Sequence, residues 1–356
     1  MRRAIHQLSV SAAYGDAIGN EALQIRHALR AAGHESEIFV ELVDPRMASE
    51  VRPYQQYREI SDPDNLVILH YSLGSKVSAL AREIPDRLVL IYHNITPARF
   101  FAPYNFGLAR DCAMGRVELA SLRGRCALAL GDSEYNRREL EELGFEPTGV
   151  LPLMLDLATF DGAADPIVMG RFGDERPNWL FVGRVVPNKC FEDILRAFAY
   201  FQRYVDHRAR LLVVGEHRTF APYYDALQQL VGRLQIDEVH FAGHVTQAEL
   251  NAYYRVADAF VCMSEHEGFC VPIFEAIYGC LPVFAFAAAA VPYSTGEGVL
   301  LFEDKDPALV AETVALVLED DAVRTPLLER QQRTLELVSH ERVTRLFMEH
   351  LHRLGV

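Results

Sequence analysis

Short apolar runs separated by glycine, proline and polar loops recur along the whole chain. In the first half, Ala4 to Val10, Glu37 to Val40, Asn65 to Tyr71, Arg87 to His93, Cys126 to Asp132 and Gly149 to Leu153 read as strands. In the second half Asn178 to Val182, Ala209 to Gly215, Val239 to Gly243, Ala257 to Met263, Leu281 to Ala285 and Val299 to Phe302 do the same. Runs this uniformly apolar suit parallel strands covered on both faces. Helical periodicity lies between them. Ala22, Ile25, Leu29 and Ala32 share one face, which Gly33 closes; Phe191, Ile194, Leu195, Phe198 and Phe201 share another. Ser133 is placed to cap a helix from Glu134 to Leu143. Helices are also expected at 249–255, 306–318 and, amphipathic, 340–354. Strand, loop, helix, strand is the βαβ unit. Two such series flank a Gly/Pro-rich stretch from Asp156 to Pro177, which reads as the connection. The expected organisation is two α/β, Rossmann-like doubly wound domains at 1–165 and 166–335, followed by a terminal helix at 336–356.

Composition narrows the function. Half of the 356 residues are hydrophobic, enough for two cores. A net charge of −14 opposes a general nucleic-acid binder, which needs a basic face. The half before residue 158 is less acidic than the half after it, which slightly favours an anionic acceptor or a peripheral membrane contact there. Six scattered cysteines without a Cys-x-x-Cys pair fit a reducing compartment and no zinc cluster. The start lacks a signal-peptide core. The most apolar window, Leu281 to Pro292, is shorter than the ~20 residues a span requires. A cytoplasmic protein is expected, at the inner face of the membrane if it meets one.

The chemistry concentrates in loops that follow strands. After Ala257 to Met263 comes Ser264-Glu265-His266-Glu267-Gly268-Phe269-Cys270-Val271-Pro272-Ile273-Phe274-Glu275. Pro272 suits the first turn of a helix and Gly279 its end. Helix-start amides attract an anion, whereas Glu267 and Glu275 would accept hydrogen bonds from hydroxyls. Phosphate, ribose and sugar together describe a sugar nucleotide. Gly183-Arg184-Val185-Val186-Pro187-Asn188-Lys189 supplies two cations at another helix entrance. Lys189 is one of only three lysines against 32 arginines, and lysine grips phosphate as a compact charge. His70 and His93 end strand runs, where ligands of open parallel sheets collect. The first loop, with Gly15 and Gly19 spread apart, is no Gly-x-Gly-x-x-Gly fingerprint. That spacing opposes a dinucleotide oxidoreductase. No Asp-x-Asp motif and no His/Asp cluster at metal spacing stands out, and no cofactor is expected.

The Glu267-x7-Glu275 pattern and the Gly183 to Lys189 loop resemble the donor site of the family 4 retaining glycosyltransferases, which have the GT-B fold. The resemblance is specific over most of residues 178–320. It implies two Rossmann-like domains facing across a cleft, with the terminal helix crossing back to the first. It places Arg184 and Lys189 on the donor diphosphate, Glu267 on the transferred sugar and Glu275 on the ribose. The backbone of Gly268, Phe269 and Cys270 would meet sugar and diphosphate. His244 and Val245 would meet the base, and Gly183 and Gly215 would line the donor site. On the acceptor side it implies Gly19, His93 and Ser133. Tyr92-His93-Asn94-Ile95-Thr96-Pro97 looks most like bacterial polysaccharide mannosyl- and deoxymannosyl-transferring members. The expectation is a metal-independent hexosyl transfer from a nucleotide diphosphate sugar, GDP-mannose or a related deoxyhexose, to a glycan or lipid-linked glycan. A non-catalytic nucleotide-sugar-binding module is the alternative.

Overall fold

A computed structural model of the chain describes residues 4–12 and 15–355; Ala13 and Tyr14 of the first loop lie outside it. Among the described residues the twelve apolar runs form strands, and the exposed pair Arg52–Pro53 adds a thirteenth, in two all-parallel sheets. Seven belong to the first sheet: β1 (Ile5–Ser11), β2 (Ile38–Leu42), β3 (Arg52–Pro53), β4 (Leu66–Tyr71), β5 (Arg87–Tyr92), β6 (Cys126–Gly131) and β7 (Thr148–Val150). Their order is β3-β2-β1-β4-β5-β6-β7. Six belong to the second: β8 (Asn178–Val182), β9 (Arg210–Val214), β10 (Val239–Gly243), β11 (Ala259–Cys262), β12 (Val283–Phe286) and β13 (Leu300–Phe302). Their order is β10-β9-β8-β11-β12-β13.

Each order runs outward in two directions from a central pair, β1/β4 in one sheet and β8/β11 in the other. Successive crossovers leave in opposite senses there. The loops at the carboxyl ends of that pair therefore part, which opens the place where doubly wound sheets bind ligands.

The chain divides into two compact units. The first comprises 1–99, 107–156 and 337–356; the second comprises 100–106 and 157–336. In the first unit, Ile5, Leu66, Ile68, Val89, Ile91, Leu128 and Leu130 pack with Ile25 and Leu29 of the helix Ala17–Ala31. Val343, Phe347 and Leu351 of the terminal helix His340–Arg353 join the same core. That helix is fixed further by His350 Nε2, 3.1 Å from the Val150 carbonyl. Arg87 also donates to the Leu354 carbonyl at 2.9 Å.

Two expectations change. The stretch from Asp156 to Pro177 is not a plain connection. It holds a short helical turn, Leu157–Asp161, and a helix, Pro166–Phe172, capped by Asp165. Both pack on the helix Gln247–Val256, so the second unit begins at residue 157 rather than 166. A helix of a single turn, Ala98–Phe101, follows the Tyr92 to Pro97 phrase.

Candidate functional site

In the second unit, β8 and β11 are hydrogen-bonded neighbours, and the two loops the sequence singled out leave their carboxyl ends. Lys189 ends the single helical turn Pro187–Lys189, and Cys190 then takes a left-handed conformation before the helix Phe191–Tyr204. Glu267 lies five residues beyond β11. The Lys189 Nζ is 2.5 and 2.6 Å from the two oxygens of Glu267. The side chains are 16% and 7% exposed. Burial alone would lower the Lys189 pKa; the Glu267 charge, with Cys270 and Cys262, outweighs it and raises the pKa.

Backbone bonds tie the loops together. The Glu265 amide donates to Asn188 at 2.9 Å, the Asn188 side chain donates to the His266 carbonyl at 2.9 Å, and the Ala290 amide donates to Glu267 at 3.3 Å. Two glycines permit the remaining approach. Gly183 has φ +148° and Gly215 φ +145°. A Cβ on Gly215 would lie 2.1 Å from the Gly183 carbonyl oxygen, so only glycine fits. Gly215 in turn donates its amide to Gly243 at 2.9 Å.

Cys270 is left-handed, at φ +74°, and turns the chain into the helix Val271–Tyr278. No side chain caps that helix, so its first-turn amides are not satisfied in that way. Phe269 stacks on Phe274, ring centroids 5.0 Å apart, and anchors the loop. Arg184, His244 and Val245 follow β8 and β10; Arg184 and His244 are exposed and Val245 half-buried.

Glu275 does not join the Lys189–Glu267 pair. It accepts a 2.6 Å hydrogen bond from Tyr254 of the helix Gln247–Val256. It lines a cavity of about 320 Å³ with Phe160, Asp161, Tyr254 and Tyr278, which neither Lys189 nor Glu267 lines. Burial pushes its carboxyl up to about 7, against the Tyr254 hydrogen bond.

The first unit places its expected residues differently. Gly19 is not in a loop: it lies in the first turn of the helix Ala17–Ala31, and its amide donates to the Asp16 cap at 3.1 Å. Ser133 is buried and caps the helix Glu134–Glu142, accepting from the Asn136 amide. The His93 side chain is only 2% exposed. Its Nδ1 is 3.1 Å from Asp132 Oδ2, and its Nε2 is 3.0 Å from His70 Nδ1. His70 Nε2 is 2.9 Å from Gln7 Oε1. Glu21 Oε2 stands 3.8 Å from His70 Nδ1 and 3.7 Å from His93 Nε2. Burial would lower the His93 pKa, but Asp132 and Glu21 raise it to about 9; burial lowers that of His70 and raises those of Glu21 and Asp132. Gln7, Glu21 and Asp132 carried no signal in the sequence. They stand 39 to 63 residues from the nearest histidine of the group, and only the sheet brings them together.

Two parallel doubly wound units with this strand order define the GT-B fold. Sucrose-phosphate synthase from Thermosynechococcus elongatus superposes with a TM-score of 0.77 at 20% identity over 99% of each chain. HepE of Anabaena in complex with UDP and glucose does so with 0.76 at 15% identity, over 99% of this chain and 100% of that one.

Residues 170–334 match the family described as glycosyl transferases group 1. The D-inositol 3-phosphate glycosyltransferase of Corynebacterium efficiens is 32% identical over 148 residues, 40% of this chain and 35% of that protein. The O-antigen chain mannosyltransferase B of Escherichia coli is 28% identical over 146 residues, 41% of this chain and 38% of that protein. The chain thus spans little more than a third of the length of these curated relatives. No helix among the described residues is long and apolar enough to cross a membrane.

Proposed function

We propose that the chain is a retaining glycosyltransferase that moves a mannosyl or related deoxyhexosyl group from a nucleotide diphosphate sugar to a glycan or lipid-linked glycan of a bacterial polysaccharide. The observation that carries the reading is the Lys189–Glu267 contact, because it joins a cation and a hydroxyl acceptor at the β8/β11 divergence of the second sheet. The names of the mannosyl-transferring relatives support the sugar.

In this reading Lys189 and Arg184 meet the diphosphate. Negative charge grows on the leaving phosphate as the glycosidic bond breaks, and fixed cations favour that transition state over the ground state. The uncapped amides that open the helix Val271–Tyr278 add to the same field. Glu267, released from Lys189 by the incoming phosphate, accepts from sugar hydroxyls. Gly183 and Gly215 let backbone approach the donor, His244 and Val245 meet the base, and Glu275 meets the ribose. His93 is sealed among protein groups, so it acts by holding the shape of the acceptor side rather than by touching the sugar.

The test is calorimetry with UDP, GDP, ADP and dTDP, followed by a transfer assay with the matching sugar nucleotides. Binding of one diphosphate that weakens at least tenfold in Lys189→Ala, together with sugar transfer, is expected. Absence of binding by all four, or equal affinity in Lys189→Ala, refutes the reading. Binding without transfer to any glycan leaves the non-catalytic module.

A further inference from the structure

The buried cluster of the first unit has a geometry that the proposed transfer does not require. We infer that Glu21, His70 and His93 form a binding site for a divalent transition-metal ion, Zn²⁺ before others.

The hydrogen bonds fix which atoms face inward. Gln7 Nε2 donates to the Ala22 carbonyl at 2.9 Å, so Gln7 Oε1 is the end turned to His70. That oxygen can only accept, so His70 Nε2 carries its proton and His70 Nδ1 presents a lone pair. Asp132 Oδ2 likewise accepts from His93 Nδ1, which carries its proton. The two remaining ring nitrogens, His70 Nδ1 and His93 Nε2, face each other at 3.0 Å with Glu21 Oε2 beside both. A proton on His93 Nε2, donated to His70 Nδ1, meets that charge when no ion is bound; without it, two lone pairs and a carboxylate repel unless a cation lies between them.

The distances suit an ion. Three atoms separated by 3.0, 3.7 and 3.8 Å have a common point about 2 Å from each, the reach of a zinc–imidazole or zinc–carboxylate bond. Two imidazoles and one carboxylate are a donor set that zinc uses.

Three further observations point the same way. Glu21 is fully buried and neither oxygen has a partner of normal hydrogen-bond geometry, although the Met154 backbone favours its charged form. Each histidine has its outer nitrogen held by an oxygen, Asp132 or Gln7, which is how ligating imidazoles are oriented. Two buried carboxylates, Glu21 and Asp132, balance a doubly charged ion. Gln7 lies in β1 and His70 in β4, the diverging pair of the first sheet. The site lies wholly in the first unit, and the diphosphate residues lie in the second.

The test uses the full chain, free of any tag, expressed in Zn²⁺-supplemented medium and analysed by plasma mass spectrometry. About one Zn²⁺ per chain is expected, falling below about a tenth of that in Glu21→Gln and in His70→Ala. Refolding the wild-type chain with Co²⁺ should give the visible bands of tetrahedral cobalt. Asp132→Asn, which keeps all three ligands, should weaken Co²⁺ affinity about 10–100-fold. Circular dichroism checks that the variants fold. Trace metal in the wild-type chain with no cobalt bands overturns the inference and leaves a proton on His93 joining the rings. Undiminished zinc in folded Glu21→Gln also overturns it.

Discussion

The Lys189–Glu267 pair makes a quantitative prediction. Both side chains are largely withdrawn from water, at 16% and 7% exposure, and each offsets the other's charge. Removing one partner strands the other. For a buried pair that costs about 3–5 kcal/mol; the partial exposure of Lys189 puts the expectation at the low end, about 3 kcal/mol for each single variant. Replacing both by apolar residues of similar size leaves no stranded charge, so Lys189→Met/Glu267→Leu should cost about 1 kcal/mol or less. The two single effects would sum to about 6, which leaves a coupling on the order of 5 kcal/mol.

Trp179, the only tryptophan, is buried in β8, so urea denaturation followed by its fluorescence reports the unfolding of the second unit. The single variants should melt roughly 6–12 °C lower. The sign of the pH dependence is fixed as well. The folded Lys189 pKa is raised, so its contribution is complete below the unfolded lysine value of about 10.4 and disappears as pH rises through the folded value. Between about pH 7 and pH 9 the coupling should therefore be constant. Single variants that each cost less than about 1 kcal/mol and add in the double variant would refute the reasoning.

Two further outcomes are expected. Because burial raises Glu275 to about 7, the folded chain holds a proton there that the unfolded chain has lost. Its contribution therefore shrinks as pH rises from about 4.5 to 7, by at most about 1.4 kcal/mol per unit, and is flat above. Glu275→Gln should remove that decline and be up to about 3 kcal/mol more stable at about pH 8, while weakening nucleotide binding; an unchanged urea midpoint and affinity count against both. Gly215→Ala drives a Cβ into the Gly183 carbonyl at a φ that L-residues rarely adopt. A loss of about 3 kcal/mol or more by urea denaturation is expected, with donor affinity lost in the material that folds; wild-type values in both would show that the loops do not need their close approach.

The strands and the donor-loop motifs were legible because their signals are local. A buried parallel strand is a continuous apolar run, and the two loops carry Gly, Pro, Lys and Glu within a few residues of one another. The helices Lys76–Glu83, Phe106–Ser121, Ala221–Leu234 and Asp321–Thr334 were not anticipated. Phe106–Ser121 has a weak apolar face, with Phe106, Met114 and Val117 exposed, so tertiary contact rather than periodicity decides it. Asp321–Thr334 carries Pro326 within its first two turns, a residue that argues against a helix until its position near the start is known. Gly19 shows the reverse error. A glycine reads as a loop, yet Asp16 caps the chain three residues earlier and the helix has begun.

The buried cluster of the first unit lies beyond sequence reading for a stronger reason. His70 and His93 each end an apolar run and were visible one at a time. What fixes their chemistry is the parallel register that sets His70 beside Ile91, and the order that seats β1 against β4. Those relations bring Gln7 and Glu21 under the rings from the opposite end of the unit's sequence. No spacing along the chain encodes them. The same reasoning explains why Lys189 and Glu267, 78 residues apart, looked like two loops with opposite charges until the β8/β11 pairing set them 2.6 Å from each other.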